Sequence, residues 1–139
     1  MRPHVWIWVA LLWISTVCAC GRGASAPSST GLTGVWGGDH IMLTIDDSGG
    51  HVEFDCAHGI IQGPPALDSH RAFSAGGRYV REHGGPIRDD EAPDSHPASY
   101  AGSISGASMV LTVWLTDTNT FIGTFSLTHK VTGRIVKCL

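Results

Sequence analysis

The chain has 139 residues, a formal net charge of −3 and 42% hydrophobic side chains, with only 15% charged ones. That is enough chain for one domain with a modest core. Slight acidity without a basic stripe excludes nucleic acid as a partner class. No nucleophile elbow, phosphate loop or metal signature occurs anywhere in it.

A short basic start, Met1-Arg2-Pro3-His4, leads into the apolar run Val5 to Val17 and then into small residues. The run is too short to span a bilayer comfortably, and its order predicts a secretory signal peptide over residues 1–19. Val17-Cys18-Ala19-Cys20 resembles the lipobox of bacterial lipoproteins, in which the chain is cut before the Cys and that Cys carries the lipid. The resemblance implies lipidation (palmitate among the acyl groups) at Cys20 and a membrane-anchored protein of the cell envelope. Gly21 after that Cys, in place of an Asp that resembles an inner-membrane retention signal, favours the outer membrane. Ala24-Ser25-Ala26 is an acceptable alternative cleavage site and gives the rival outcome, a secreted or periplasmic protein. Residues 20–33 are small and polar, a flexible tether ahead of a domain over 34–139. Cleavage before Cys20 leaves 120 residues, with 8 basic against 12 acidic side chains. It also leaves two further cysteines, Cys56 and Cys138, and in an oxidising compartment such a pair is most simply a disulfide.

From Leu32 onward the pattern is short and strand-like. Ile41, Leu43 and Ile45 alternate with His40, Met42 and Thr44, and Asp46-Asp47-Ser48-Gly49-Gly50 makes a turn into a partner run from His51 to His58. Val52, Phe54 and Cys56 share one face of that run. Further strands are expected at Ile60–Gln62, Arg71–Ala75, Arg78–His83, Ala98–Ile104, Met109–Leu115, Thr120–Thr128 and Arg134–Leu139. Gly123 inside one of them marks a bulge or a close backbone approach. The irregular segment Gly84–Pro97, with three prolines and four carboxylates, reads as a solvated loop. No helical apolar stripe persists for three turns. The expectation is an all-β fold, a small antiparallel meander barrel of about eight strands, with a β-sandwich as the alternative.

Leu32-Thr33-Gly34-Val35-Trp36 resembles the Gly-x-Trp opening of lipocalins and avidins, small barrels in which the Trp plugs the closed end. The resemblance implies an up-and-down barrel around a ligand cavity. Gly37-Gly38-Asp39 departs from the family pattern, and the residues that bind biotin in avidins have no match.

Three histidines in Gly-rich, carboxylate-flanked settings, His40, His58 and His83, are the candidate metal ligands. Converging at a rim they would hold Zn²⁺, the one cofactor the residue types suggest, with a carboxylate orienting each ring. Hydrogen-bonded imidazoles beside turns are the plainer reading. Asp39, Asp55 and Glu82 are candidates for a paired-carboxylate site, against which stands ordinary solvation of strand-end charges. Trp36, Arg78 and Trp114 are candidate ligand-binding residues, Arg78 through its two-pronged grip on a carboxylate. Core filling is the default reading of the Met109–Trp114 and Phe121–Phe125 runs.

The functional expectation is a membrane-tethered binding module, not an enzyme, for a small apolar ligand or a surface partner of the envelope. The alternatives are an envelope inhibitor of a lysozyme or protease, acting through Gly84–Pro97 or Ser103–Ser108, and a metal-dependent enzyme built on the three histidines.

Overall fold

A computed structural model describes residues 32–138 except 87 and 89. The signal segment, Cys20 and all of the tether but its last two residues lie outside the described residues.

Alternating apolar and polar positions produce a chain of strands, each joined to the next by a tight turn or a loop. They are β1 (Gly34–Gly38), β2 (Ile41–Asp46), β3 (Gly49–Phe54), β4 (Ala57–Gln62), β5 (Ala72–Arg81), β6 (Asp94–Ser105), β7 (Ser108–Leu115) and β8 (Thr120–His129). Every strand pairs antiparallel with its sequence neighbour, and β8 returns to β1 through Trp36↔His129 and Gly37↔Thr128. The sheet is therefore a closed eight-stranded meander barrel, not a sandwich. Closure gives every strand a neighbour on both sides.

Period-2 alternation sends one set of side chains inward. Ile41, Leu43 and Ile45 from β2 meet Met109, Leu111, Val113 and Leu115 from β7 in one continuous core. Tyr100 on β6 is fully buried in that core, and its hydroxyl donates to the Arg78 carbonyl at 2.7 Å. Room for its ring comes from β5: a Cβ at Gly77 would overlap the Ile60 carbonyl oxygen and press on the Tyr100 ring. Trp36 is 1% exposed, donates its indole N–H to the Leu32 carbonyl at 2.8 Å and stacks on His129 with ring centroids 4.5 Å apart. Among the described residues no polar or charged side chain is buried in this interior.

Four sequence expectations need correction. The His51–His58 run is not one strand but turns at Asp55-Cys56, so Cys56 lies exposed in the β3–β4 turn rather than on the face of Val52 and Phe54. Arg71–Ala75 and Arg78–His83 are a single strand, because Gly76 and Gly77 continue the β5–β6 ladder opposite Ser99 and Ala98. The loop before β6 ends earlier than expected, since Asp94–Pro97 already pair with β5. The Arg134–Leu139 strand is not formed over its described residues, 134–138, whose one ladder contact is a parallel bridge from Asp39 to Arg134.

That C-terminal segment instead runs as a strap across the β1–β2 and β3–β4 turns. The His40 N–H donates to the Arg134 carbonyl, and the Val136 N–H donates to the Asp55 carboxylate at 2.9 Å. A disulfide from Cys138 to Cys56, with Cα atoms 5.2 Å apart, locks its end. The pairing expected from the cysteine count is thus present in the fold.

Candidate functional site

The histidines and carboxylates singled out by the sequence do come together, but in pairs. His40 Nδ1 lies 2.6 Å from Asp55, His58 Nδ1 is 2.7 Å from Glu82, and His83 Nε2 is 2.7 Å from Glu91. Asp39, expected near Asp55, pairs instead with Arg134 at 3.1 Å. His40, His58 and His83 sit in three separate pairs, and among the described residues no group of three or more His, Cys, Asp or Glu side chains is placed to hold a metal ion. Arg78 does not enter the barrel. Its position on β5 is outward, and its guanidinium donates to Ser95 Oγ at 2.8 and 3.0 Å.

Lys137, from the strap, joins two of these pairs. Its Nζ lies 2.6 Å from Glu53 and 3.0 Å from Glu82, and it also donates to the Ala57 carbonyl. The other oxygen of Glu53 accepts from His51, and the other oxygen of Glu82 from His58, so a chain His51–Glu53–Lys137–Glu82–His58 lies on the outside of β3 and β4. Partial burial pushes both glutamates up, but hydrogen bonds from Lys137 and the imidazoles outweigh it and leave each below the ordinary carboxylate range. Burial pulls Lys137 down, and its two carboxylate partners more than restore it, so it ends above its ordinary value. Both oxygens of each glutamate are engaged, one by Lys137 and one by an imidazole. The network is a clasp for the strap.

A cavity of about 250 Å³ lies beside this clasp, between the ends of β4 and β5 and the segment leading into β6. Val80, Ala92 and Pro93 give it apolar walls, while His58–Glu82 and His83–Glu91 line it as closed pairs. Its polar groups face one another more than they face the space.

The third candidate residue, Trp114, belongs to a different surface. Between Ser95 and Thr128 the chain carries one charged side chain, Asp117 in the β7–β8 turn. The outward positions of β6, β7 and β8 line up in rows by register. Ser99, Trp114 and Phe121 form one row; Ala101, Thr112 and Thr124 form the next; Ser103, Val110 and Ser126 form a third. Thr112 and Thr124 hydroxyls meet at 3.1 Å.

A bulge builds the aromatic row. The β7–β8 register shifts between Val113 and Trp114, so Val113 opposes Gly123, Trp114 opposes Phe121 and Ile122 is the extra residue. Strict alternation from inward Leu127 and Phe125 would turn Phe121 into the barrel. The extra residue reverses the phase: Ile122 packs against the core and Phe121 emerges beside Trp114. The two rings lie 5.0 Å apart, tilted by 53°, and remain 40% and 52% exposed. Sequence reasoning named Trp114 as a candidate, and its reading of Gly123 anticipated the irregularity. It missed Phe121, because a reversal of alternation is invisible until register is known. The other proposed contact segment, Ser103–Ser108, is mostly ladder around a tight Gly106-Ala107 turn and offers no long loop.

The chain matches no protein-family model, no curated protein and no solved structure.

Proposed function

We propose that this protein is an exported, lipid-tethered barrel that works as a binding module and engages an envelope partner through the outer face of β6–β8. The signal pattern and Cys20 support export and anchoring, and the oxidised Cys56–Cys138 pair agrees with a compartment outside the cytosol. More than one acyl group is needed for durable attachment, which is what the lipoprotein resemblance implies. The outer membrane is the favoured location. A tether over residues 20–33 reaches at most roughly 45 Å when fully extended, so the partner lies close to the membrane surface.

One observation carries the choice of surface over interior. Large side chains such as Trp36, Phe54, Phe73 and Tyr100 are packed within the barrel, whereas Trp114 and Phe121 are turned out by a bulge onto an uncharged face. A ligand-binding barrel needs lining residues around space; this core favours a surface partner over a small apolar ligand held inside. Exposed aromatic side chains grouped together are the usual mark of a contact surface.

The reading is tested in the native envelope. Trp114 is replaced by a photo-crosslinking amino acid, with Ile60, exposed on β4, as the control position. Adducts should form from position 114 and not from position 60, and Cys20→Ala should release the protein from the membrane fraction and remove incorporated palmitate. Equal adducts from both positions, or none from 114, would end the surface assignment; retention of lipid without Cys20 would end the anchoring assignment.

A further inference from the structure

The composition of the β6–β8 face narrows the kind of partner it suits. Its aromatic content is confined to the Trp114–Phe121 row, which Ser99 continues, and the rows behind it carry the hydroxyls of Thr112, Thr124, Ser103 and Ser126 with Ala101 and Val110 between them. Protein-binding interfaces are depleted in Ser and Ala and enriched in several large anchors, so a small aromatic row on a Ser/Thr/Ala sheet fits them poorly. Anionic polymers, nucleic acid included, need cations, and the outward positions of these rows supply no Lys or Arg.

What remains has complementary features. A neutral saccharide presents C–H faces that pack on aromatic rings and hydroxyls that both donate and accept, as Ser and Thr hydroxyls do. The adjacent rows place such hydroxyls about 7 Å from the rings along each strand, two residues further on. The pleated surface is free of long side chains there, so an extended chain can lie across it. Its single charge, Asp117, is held at the margin by His96 at 2.7 Å.

We infer that the Trp114–Phe121 row and the hydroxyl rows beside it bind an uncharged glycan, with Trp114 as the principal stacking platform. This rests on the surface reading above, and it names the partner class for that same face. Such binding owes little to charge and therefore varies little with ionic strength.

Titration calorimetry on the full chain in a sugar-free zwitterionic detergent tests it. The probes are neutral hexasaccharides of β-1,4-linked N-acetylglucosamine, α-1,4-linked glucose and α-1,6-linked mannose, with a hyaluronate hexasaccharide as the anionic control. At least one neutral probe should bind and hyaluronate should not, with affinity changing less than about twofold between roughly 0.05 and 0.5 M salt. Trp114→Ala should weaken binding about tenfold or more, Phe121→Ala by less, Trp114→Tyr should retain most of it, and Ile60→Ala should leave it unchanged. Silence from all neutral probes, an affinity unaltered in W114A, or preference for hyaluronate overturns the glycan assignment. If the neutral probes fail while position 114 still crosslinks to an envelope protein, the partner is protein and the surface reading survives. If both fail, the face is not a binding site.

Discussion

The two halves of this barrel keep their outer surfaces in opposite ways. On β3–β5 and the strap, outward residues are ionic and satisfy one another: His51, Glu53, Lys137, Glu82 and His58 form one connected chain, and Cys138 bolts the strap to the β3–β4 turn. On β6–β8, beyond Asp94 and His96 at the start of β6, the outward rows are uncharged, and two aromatic rings stand in solvent although the same strands bury Tyr100, Leu111 and Val113 on their inner side. The first surface is closed upon itself; the second is left with unmet apolar area. The residues with most chemistry are thus the ones committed to holding the chain together.

The largest expected difference between the halves comes from the disulfide. Replacing Cys56 and Cys138 by Ala removes a link spanning 82 residues and should cost about 4–5 kcal/mol in the chain-entropy picture. Denaturant unfolding measures it, and hydrogen exchange should show the strap and the β3–β4 turn opening first while β6–β8 stay protected. Uniform loss of protection would mean that the halves are not separable. Next comes Tyr100→Phe, which leaves the Arg78 carbonyl without its hydroxyl donor and should cost about 1–1.5 kcal/mol with little change in packing. Lys137→Ala follows. Because Lys137, Glu53 and Glu82 are each a quarter to two-fifths exposed, the loss should stay below about 1 kcal/mol and shrink with added salt.

The ion pairs also fix the pH dependence. Glu53 and Glu82 lie below their ordinary value of 4.5, so the stability they contribute is fully present above pH 4.5 and is lost as pH falls through their lowered values. His83, through the Gly84 carbonyl and Glu91, and His96, through Asp117 and Asp94, lie above their ordinary 6.5. Their contribution is complete below pH 6.5 and is lost as pH rises through the raised values. Lys137 acts likewise but far higher, from 10.5 upward. Thermal unfolding across pH should therefore show its maximum between 4.5 and 6.5, on the acid side of neutrality. A melting temperature still rising from pH 6 to pH 8 would contradict these pairings.

Much of the barrel was legible because period-2 alternation was strong where strands are half-buried. Ile41-Leu43-Ile45 and Met109-Leu111-Val113-Leu115 each point one way, and the Asp46–Gly50 turn separates β2 from β3 as read. Alternation failed where glycine or exposure removed the signal. Gly76-Gly77 looked like a break and is continuous ladder, since Gly77 is there to admit Tyr100. Cys56 kept the phase of Val52 and Phe54 on paper, yet the turn begins before it. Of the candidate site residues, His40, His58 and His83 each meet a carboxylate, but not the one that flanks it in sequence: the partners are Asp55, Glu82 and Glu91. Their separation into three pairs depends on which turns and strand ends the closed barrel brings together, and no local pattern encodes that. Trp114 was named from its residue type and its face; Phe121 needed the bulge.

The smallest expected effect on stability is also the sharpest division between the halves. Trp114 and Phe121 stand on the outer face, 40% and 52% exposed and paired with each other, so Trp114→Ala should change unfolding free energy by no more than about 0.5 kcal/mol. Ile122→Asp in the same bulge should behave oppositely, because that side chain packs against the core, and a buried unpaired carboxylate there is costly. A sheet surface kept for folding alone gains nothing from reversing its alternation to bring Phe121 into water. If W114A instead unfolds the barrel as readily as I122D, the two rings are structural, the reversal has a packing cause, and the contrast between a self-satisfied half and a receptive half disappears.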